Sequence, residues 1–479
     1  MRFQRILLFT IAILTFAQGA SYTLDQLLEE AYRNSRQLQT LQNEIQKAES
    51  QVNGTLGSAL PSVILSANVS HAFAQYNAFG SNEIDTAAMN FKIDSLYQLM
   101  AMHARSRGDT VTGPLLQKIG PAITGVTLSQ IPFPEPNDNT VTFGITVNQP
   151  LFAQGKVRVG LKIAKLYQAT LLCKYLEAKM LLKARIMRLY YRALLAQNTE
   201  EIKKQALKLA EETHRLTVVQ NAAGNSSDLD TLSSRIRVAT ASLDIQRTRT
   251  DKLTAYDALI TATGIIDRTS TVSVQGDFPP PDFTMTLEEA ESQVHKDNMT
   301  LKQLRGNESI QEQMIRLART DFYPLAFATA SIGQIGQFSD GRDMFRQTSY
   351  FDNRIVGLGL SWTIFRGFQN YQKLIQAKID LDNFKLNQRE TTDNIDLAVR
   401  TAYEQLTLNL DQVKQTEFPL RLAEKAYSIS KVAYEIGSKT LLDVQNAEYN
   451  LNDVRMGYSA ALFAFHMALI DLKVLMGTL

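Results

Sequence analysis

The side chains best suited to acid–base or metal chemistry are few and dispersed in this sequence. The five histidines, His71, His103, His214, His295 and His466, are scattered, and none pairs with another at ligand spacing. The single cysteine, Cys173, stands in a helix-like stretch, where a small buried hydrophobe is its simplest role. No G-x-x-x-x-G-K-[ST], H-E-x-x-H or G-x-S-x-G pattern occurs. The sequence therefore points to no catalytic residue, no metal site and no cofactor. Charged residues gather instead at two glycine turns, Gly224-Asn225-Ser226-Ser227-Asp228-Leu229-Asp230 and Gly437-Ser438-Lys439-Thr440-Leu441-Leu442-Asp443. An acid just after such a turn suits the first turn of a helix, where N–H groups lack partners and the dipole favours negative charge.

Those two turns are copies of one another, and the copying extends along the chain. Thr23-Leu24-Asp25 recurs as Thr286-Leu287-Glu288, and Leu60-Pro61 as Tyr323-Pro324, both 263 residues later. Leu151-Phe152 recurs as Ile364-Phe365, the Gly224 turn as the Gly437 turn, and Gly264 as Gly477, all at an offset of 213. One unit is thus written twice, with 50 additional residues in the first copy between Pro61 and Leu151. The expected division is a signal peptide at 1–20, a first repeat at 21–278, a Pro-rich linker at 279–285 and a second repeat at 286–479. The inserted loop falls at about 79–135, and the hairpin tips at 221–228 and 436–441. Pro279-Pro280-Pro281 marks the join, because three consecutive prolines forbid helix.

Arg2 and Arg5 ahead of the apolar run Ile6–Ala17 and a small-residue stretch to Ala20 form an export signal too short to span a bilayer. Those arginines are two of the 50 basic residues, so the remainder balances the 48 acidic ones. A neutral chain argues against nucleic acid or another polyanion as partner. Past the signal, no apolar run of roughly 18 to 20 residues stands out as a membrane helix.

Four segments alternate at period two. Val141, Phe143, Ile145 and Val147 alternate with Thr142, Gly144, Thr146 and Asn148; in the second copy Val356, Leu358, Leu360 and Trp362 alternate with Gly357, Gly359, Ser361 and Thr363. After Pro61 the odd positions Val63, Leu65, Ala67, Val69 and Phe73 are apolar, and the run after Pro324 is the weakest of the four. Such segments, about ten residues long and free of charge, fit membrane barrel strands with lipid on one face and water on the other, and equally an amphipathic soluble sheet. Four strands cannot close a membrane barrel of at least eight, so spanning would require oligomerisation: eight strands from two chains, twelve from three.

Between these strands and the turns, Phe152 to about Gln220 and the stretch from Phe365 to the Gly437 turn read as helices approaching 70 residues, on the order of 100 Å each. Helices of that length must pack side by side as antiparallel hairpins. Pro419, whose counterpart is Ala206, predicts a kink or break in the second of them.

The T-L-D-x-x-L-x-x-A start, Leu60-Pro61 before a strand, Pro150-Leu151-Phe152 after one, and Tyr434-Glu435-Ile436-Gly437-Ser438-Lys439-Thr440-Leu441-Leu442-Asp443-Val444 resemble the TolC family of outer-membrane efflux proteins. The resemblance covers essentially the whole mature chain. It implies an α+β membrane fold: a homotrimer with four β-strands per chain in a twelve-stranded barrel, and a periplasmic α-barrel of long helical hairpins. Implied partners are a periplasmic adaptor (membrane fusion) protein, an inner-membrane transporter and the outer-membrane bilayer. Carried over residue by residue, the resemblance makes Asp443 an acid ringing the periplasmic entrance and Tyr434 part of the same constriction. It makes Lys439 a link between neighbouring hairpins and Asp230 its acidic partner. Asn446 stands where the family's best-known member has a second aspartate, which implies a less negative entrance. The cargo is not encoded here, since pump and adaptor would select it. The alternative from another class is a soluble periplasmic coiled-coil tether. Fractionation separates the two: the duct is expected in the outer-membrane fraction, and a monomer released by osmotic shock would select the tether.

Overall fold

A computed structural model describes residues 21–71, 139–224, 226–265, 273–338 and 350–479. The signal segment 1–20 and the inserted loop 79–135 lie outside them. The chain divides into two compact units. The helical unit draws on Met1–Gly57, Gly155–Phe322 and Ile364–Leu479, and the sheet unit on Ser58–Gln154 and Tyr323–Thr363.

The duplication appears as matched elements. In the first copy β1 (Ser21–Tyr22), α1 (Leu24–Asn34), α2 (Arg36–Gly57), β2 (Ser62–His71) and β3 (Asn139–Ala153) precede α3 (Lys156–Ala222) and α4 (Asp228–Thr263). In the second, β4 (Ser273–Val274), α5 (Leu287–Asp297), α6 (Met299–Thr320), β5 (Leu325–Phe338) and β6 (Tyr350–Ser361) precede α7 (Gln369–Glu435) and α8 (Leu441–Met476). α3 and α7 are each 67 residues long, α4 and α8 each 36. Thr286 caps α5 by accepting from the Glu289 N–H while the Glu289 carboxylate accepts from the Thr286 N–H, and Thr23 with Gln26 forms the same box on α1.

α7 runs through Pro419 without a break, which corrects the alternative of an interruption there. Proline removes one N–H and crowds one carbonyl, a penalty of about 3 kcal/mol that a long helix packed along its length absorbs locally. Cys173 is half-buried with a free thiol, less enclosed than a core position would be.

The sheet unit is one antiparallel meander in the order β2-β3-β5-β6. Its register aligns Val63, Val147, Ala330 and Val356 across one face, with Leu65, Ile145, Ile332 and Arg354 in the next row. The opposite face carries Ser62, Asn148, Thr329 and Gly357, then Ile64, Thr146, Ser331 and Ile355, then Ser66, Gly144, Gly333 and Asn353. Every residue of β2 is exposed, and Leu65, Val356 and Leu358 are 75, 88 and 82 % exposed. The segment after Pro324, faint in the sequence, makes a 14-residue strand because it is central and hydrogen-bonded on both sides. β6 lies N-terminal to the expected segment, since its partner β5 begins at Leu325 and pairing stops at Ser361; Trp362 and Thr363 fall beyond it. β3 continues to Ala153 through a bulge between Pro150 and Phe152, where β5 alone pairs with it.

In the helical unit α3 packs on α4 and α7 on α8, with α2 along α3, α6 against both α3 and α7, and α8 also against α3. One core joins Leu27, Ile186, Tyr190, Leu194 and Leu259 with Ile470; a second joins Val294, Val399 and Leu406 with Phe465 and Leu472. α8 feeds both. Its length and composition would suffice to cross a membrane, contrary to the sequence expectation of no such segment, but these buried side chains commit its apolarity to packing. The linker between repeats is pinned to the first core: Tyr190 Oη donates to the Gln275 carbonyl at 2.7 Å, and His466, stacked on Tyr191 at 4.7 Å, lies 3.0 Å from the Pro279 carbonyl. Phe465 is fully buried, so Phe465→Ala is expected to destabilise the helical unit by about 3–5 kcal/mol. Denaturant unfolding monitored by helical circular dichroism checks this.

Candidate functional site: the helical hairpin tips

The two tips are built the same way. α3 ends where the Ala223 N–H bonds the Val219 carbonyl and Gly224 takes φ 76°; α7 ends where the Ile436 N–H bonds the Val432 carbonyl and Gly437 takes φ 76°. That left-handed conformation is what glycine supplies without a Cβ penalty. Each returning helix then starts with a capping box. Asp230 Oδ2 accepts from the Ser227 N–H at 3.0 Å, Ser227 Oγ at 2.8 Å and Ser226 Oγ at 3.1 Å. Asp443 Oδ2 accepts from the Thr440 N–H at 2.9 Å and Thr440 Oγ1 at 2.7 Å. These bonds favour the charged form, so both carboxyls are held below their ordinary range: Asp443 chiefly by the Thr440 hydroxyl, Asp230 chiefly by the Ser227 N–H.

Asp443 and Asn446 are both exposed and sit one helical turn apart on α8. Tyr434 is buried against Leu441, Val444 and Leu451, with its hydroxyl 3.1 Å from that of Thr217 on α3. Lys439 donates to Ser430 Oγ at 3.3 Å, and within the described residues of one chain it makes no ion pair with Asp230. Asn225, in the first tip, lies outside the described residues.

Several residues that join the hairpins escaped the sequence argument. Lys431 pairs with Glu212 at 2.7 Å, which keeps the Glu212 carboxyl low, and Gln220 donates to the Glu435 carbonyl at 3.4 Å. Arg455 bridges Gln205 and Glu424 at 3.0 and 3.1 Å. The signal for one buried group was present: Glu448 occupies a position in the apolar stripe of Leu441, Val444 and Leu451. Thr217–Tyr434 is a bond between the two repeats within one chain. Removing it by Tyr434→Phe or Thr217→Val should cost about 0.5–1.5 kcal/mol, with the double variant no worse than the costlier single one. Amide exchange along the end of α7 measures this.

The geometry holds helical and electrostatic devices but no catalytic constellation, and among the described residues no group of His, Cys, Asp and Glu could hold a metal ion. The family model described as "Outer membrane efflux protein" matches residues 98–265 and 291–478. The outer membrane protein TolC of Salmonella enteritidis is 21 % identical over 274 residues, which cover 55 % of this chain and 49 % of that protein. The match thus spans about half the length of that relative. Among solved structures, the outer-membrane channel OprN superposes with a TM-score of 0.69 at 16 % identity, covering 95 % of this chain and 90 % of that one. The Campylobacter jejuni CmeC outer membrane channel gives 0.69 at 17 % identity, covering 95 % and 85 %. At such identities the structural matches speak for the fold, and the family model, matched through both repeats over more than half of the sequence, assigns the lineage: this chain belongs to the outer membrane efflux protein family.

Proposed function

We propose that three copies of this chain close into one export duct, gated at the hairpin tips, that carries cargo across the outer membrane. The observation that carries this reading is the sheet: four antiparallel strands with a mainly apolar exposed face and, among the described residues, no further strand beyond β2 or β6. In a bilayer every backbone polar group needs a partner, and lipid-exposed open edges do not occur. β2 runs antiparallel to β3, β3 to β5 and β5 to β6, so the β6 of one chain meets the β2 of the next in the sense that continues the meander. Three chains give twelve strands.

The helical unit supports the same closure. Within one chain α3 is flanked by α8 and by α6, whereas its counterpart α7 has no comparable packing against α4 or α2. The faces left over are apolar: Leu232, Ile236 and Leu243 on α4, and Leu397 and Leu408 on α7, are more than half exposed. A head-to-tail contact in which α7 receives α4 and α2 of the next chain repeats the internal packing and closes a ring.

At the tips, three Asp443 carboxylates around the axis form a negative ring that is charged at any physiological pH, because Thr440 holds each below its ordinary range. Asn446 takes the next turn without adding charge. Lys439 and Asp230 are exposed or half-exposed at the tips and are placed to link neighbouring chains, and Tyr434 ties the two hairpins of one chain. The signal segment 1–20 directs export, the tunnel projects into the periplasm, and a periplasmic adaptor and an inner-membrane transporter engage it there. Planar-bilayer recordings test the gate: Asp443→Ala is expected to shift the reversal potential under a salt gradient toward lower cation selectivity. An unchanged reversal potential rules out the ring, and absence of any conductance rules out the duct.

A further inference from the structure

We propose that Glu448 is a protonated latch between α8 and the first hairpin, so that losing its proton as pH rises loosens the tips. The inference rests on the gate proposed above and adds its regulation.

Glu448 is 1 % exposed, in the seam where α8 meets α3 and α4. Its Oε1 is 3.7 Å from Arg237 Nη2, beyond hydrogen-bond reach, and its Oε2 has no partner. One turn further along α8, Asn452 is 8 % exposed and its Oδ1 also lacks a partner. Two buried orphan acceptors spaced i, i+4 on a helix are neighbours. A single proton on Oε2, donated to Asn452 Oδ1, gives both groups a partner.

The surrounding charges leave the ionised form poorly supported. From α4 Arg237 faces the carboxyl, and Asp244 lines the adjoining cavity of about 200 Å³. From α3 Lys203 lines it too, but is committed to Asp244 at 3.1 Å. From α7 comes Tyr427, whose hydroxyl is pushed up to about 12 by burial and then by the negative charges of Glu448 and Glu212. α8 itself adds Tyr449 and the further negative charge of Asp453. Burial pushes the Glu448 carboxyl above its ordinary value, with Arg237 alone opposing.

The sign follows from linkage. The folded pKa exceeds the unfolded one, so the closed packing has its full stability below the unfolded value and loses it as pH rises through the folded value. An ionised Glu448 is relieved when α8 eases off α3 far enough for water from the adjoining cavity to reach it. That movement separates the second hairpin's returning helix from the first hairpin, next to Tyr434 and Asp443.

The test uses the full-length protein in lipid, comparing wild type with Glu448→Gln and Glu448→Asp. The Glu448→Gln side chain copies the neutral acid, and its amide can donate to Asn452, so this variant keeps the closed packing. Infrared titration should show a protonated-carboxyl band that persists above the ordinary carboxylate range and is missing from Glu448→Gln. In planar bilayers the wild-type open probability should rise with pH through the same midpoint, by about tenfold for each pH unit by which the folded pKa exceeds the unfolded one. Glu448→Gln should stay closed and flat with pH, while Glu448→Asp should keep a pH response with a moved midpoint. Absence of the elevated band overturns the latch. A band that titrates while open probability ignores pH, or a Glu448→Gln channel that responds like wild type, overturns its coupling to the tips. If no variant conducts at all, the gate reading has failed, and the infrared titration still decides the protonation.

Discussion

An antiparallel sheet with a mainly apolar face and, among the described residues, no further strand at either edge cannot persist alone in a hydrocarbon layer, and the proposed duct follows from that constraint. Lipid supplies no hydrogen-bond partners, so in the proposed ring the edge groups of β2 and β6 are met by another chain. The apolar rows through Val63, Leu65, Val356 and Leu358 need a non-aqueous neighbour, and a bilayer provides one. In the proposed ring the helical unit offers apolar faces of its own for contact between chains. The exposed Leu and Ile side chains of α4 and α7 are where it does so.

Duplication makes that ring simple to specify. Each repeat carries a groove that the other fills on one side within the chain, as α3 is filled by α8 and α6. In the proposed ring the matching face of α7 receives the next copy, so that internal packing serves as the template for assembly. The copies then diverge where function needs difference. The first tip has Ser226 and Asp228 where the second has Lys439 and Leu441. Glu448 is buried in the second repeat at the position where the first has the arginine Arg235. A symmetric wall thereby acquires an asymmetric entrance.

Much of this was legible in the residues. The fixed offsets announced the repeat, the proline-free runs announced helices that end at Ala222 and Glu435, and Gly224 and Gly437 announced the turns. These are local signals: propensity, periodicity and the conformational demand of a left-handed residue. What stayed hidden depended on partners distant in sequence. The strand after Pro324 has weak alternation because Ala and Gly suffice where two neighbouring strands supply the pairing. α8 looks apolar enough for lipid until both cores are seen to consume it. The Thr217–Tyr434 and Glu212–Lys431 bonds join positions more than 200 residues apart, which no local pattern reports.

The central claim is that β2 and β6 complete each other between chains around a closed ring. Cysteine pairs scanned along these two edges, in a Cys173→Ala background within intact outer membranes, measure it directly. The account predicts a register of positions at which oxidation yields covalent dimers and trimers and nothing larger. Failure to cross-link at every register, or a ladder that continues beyond three chains, would contradict it.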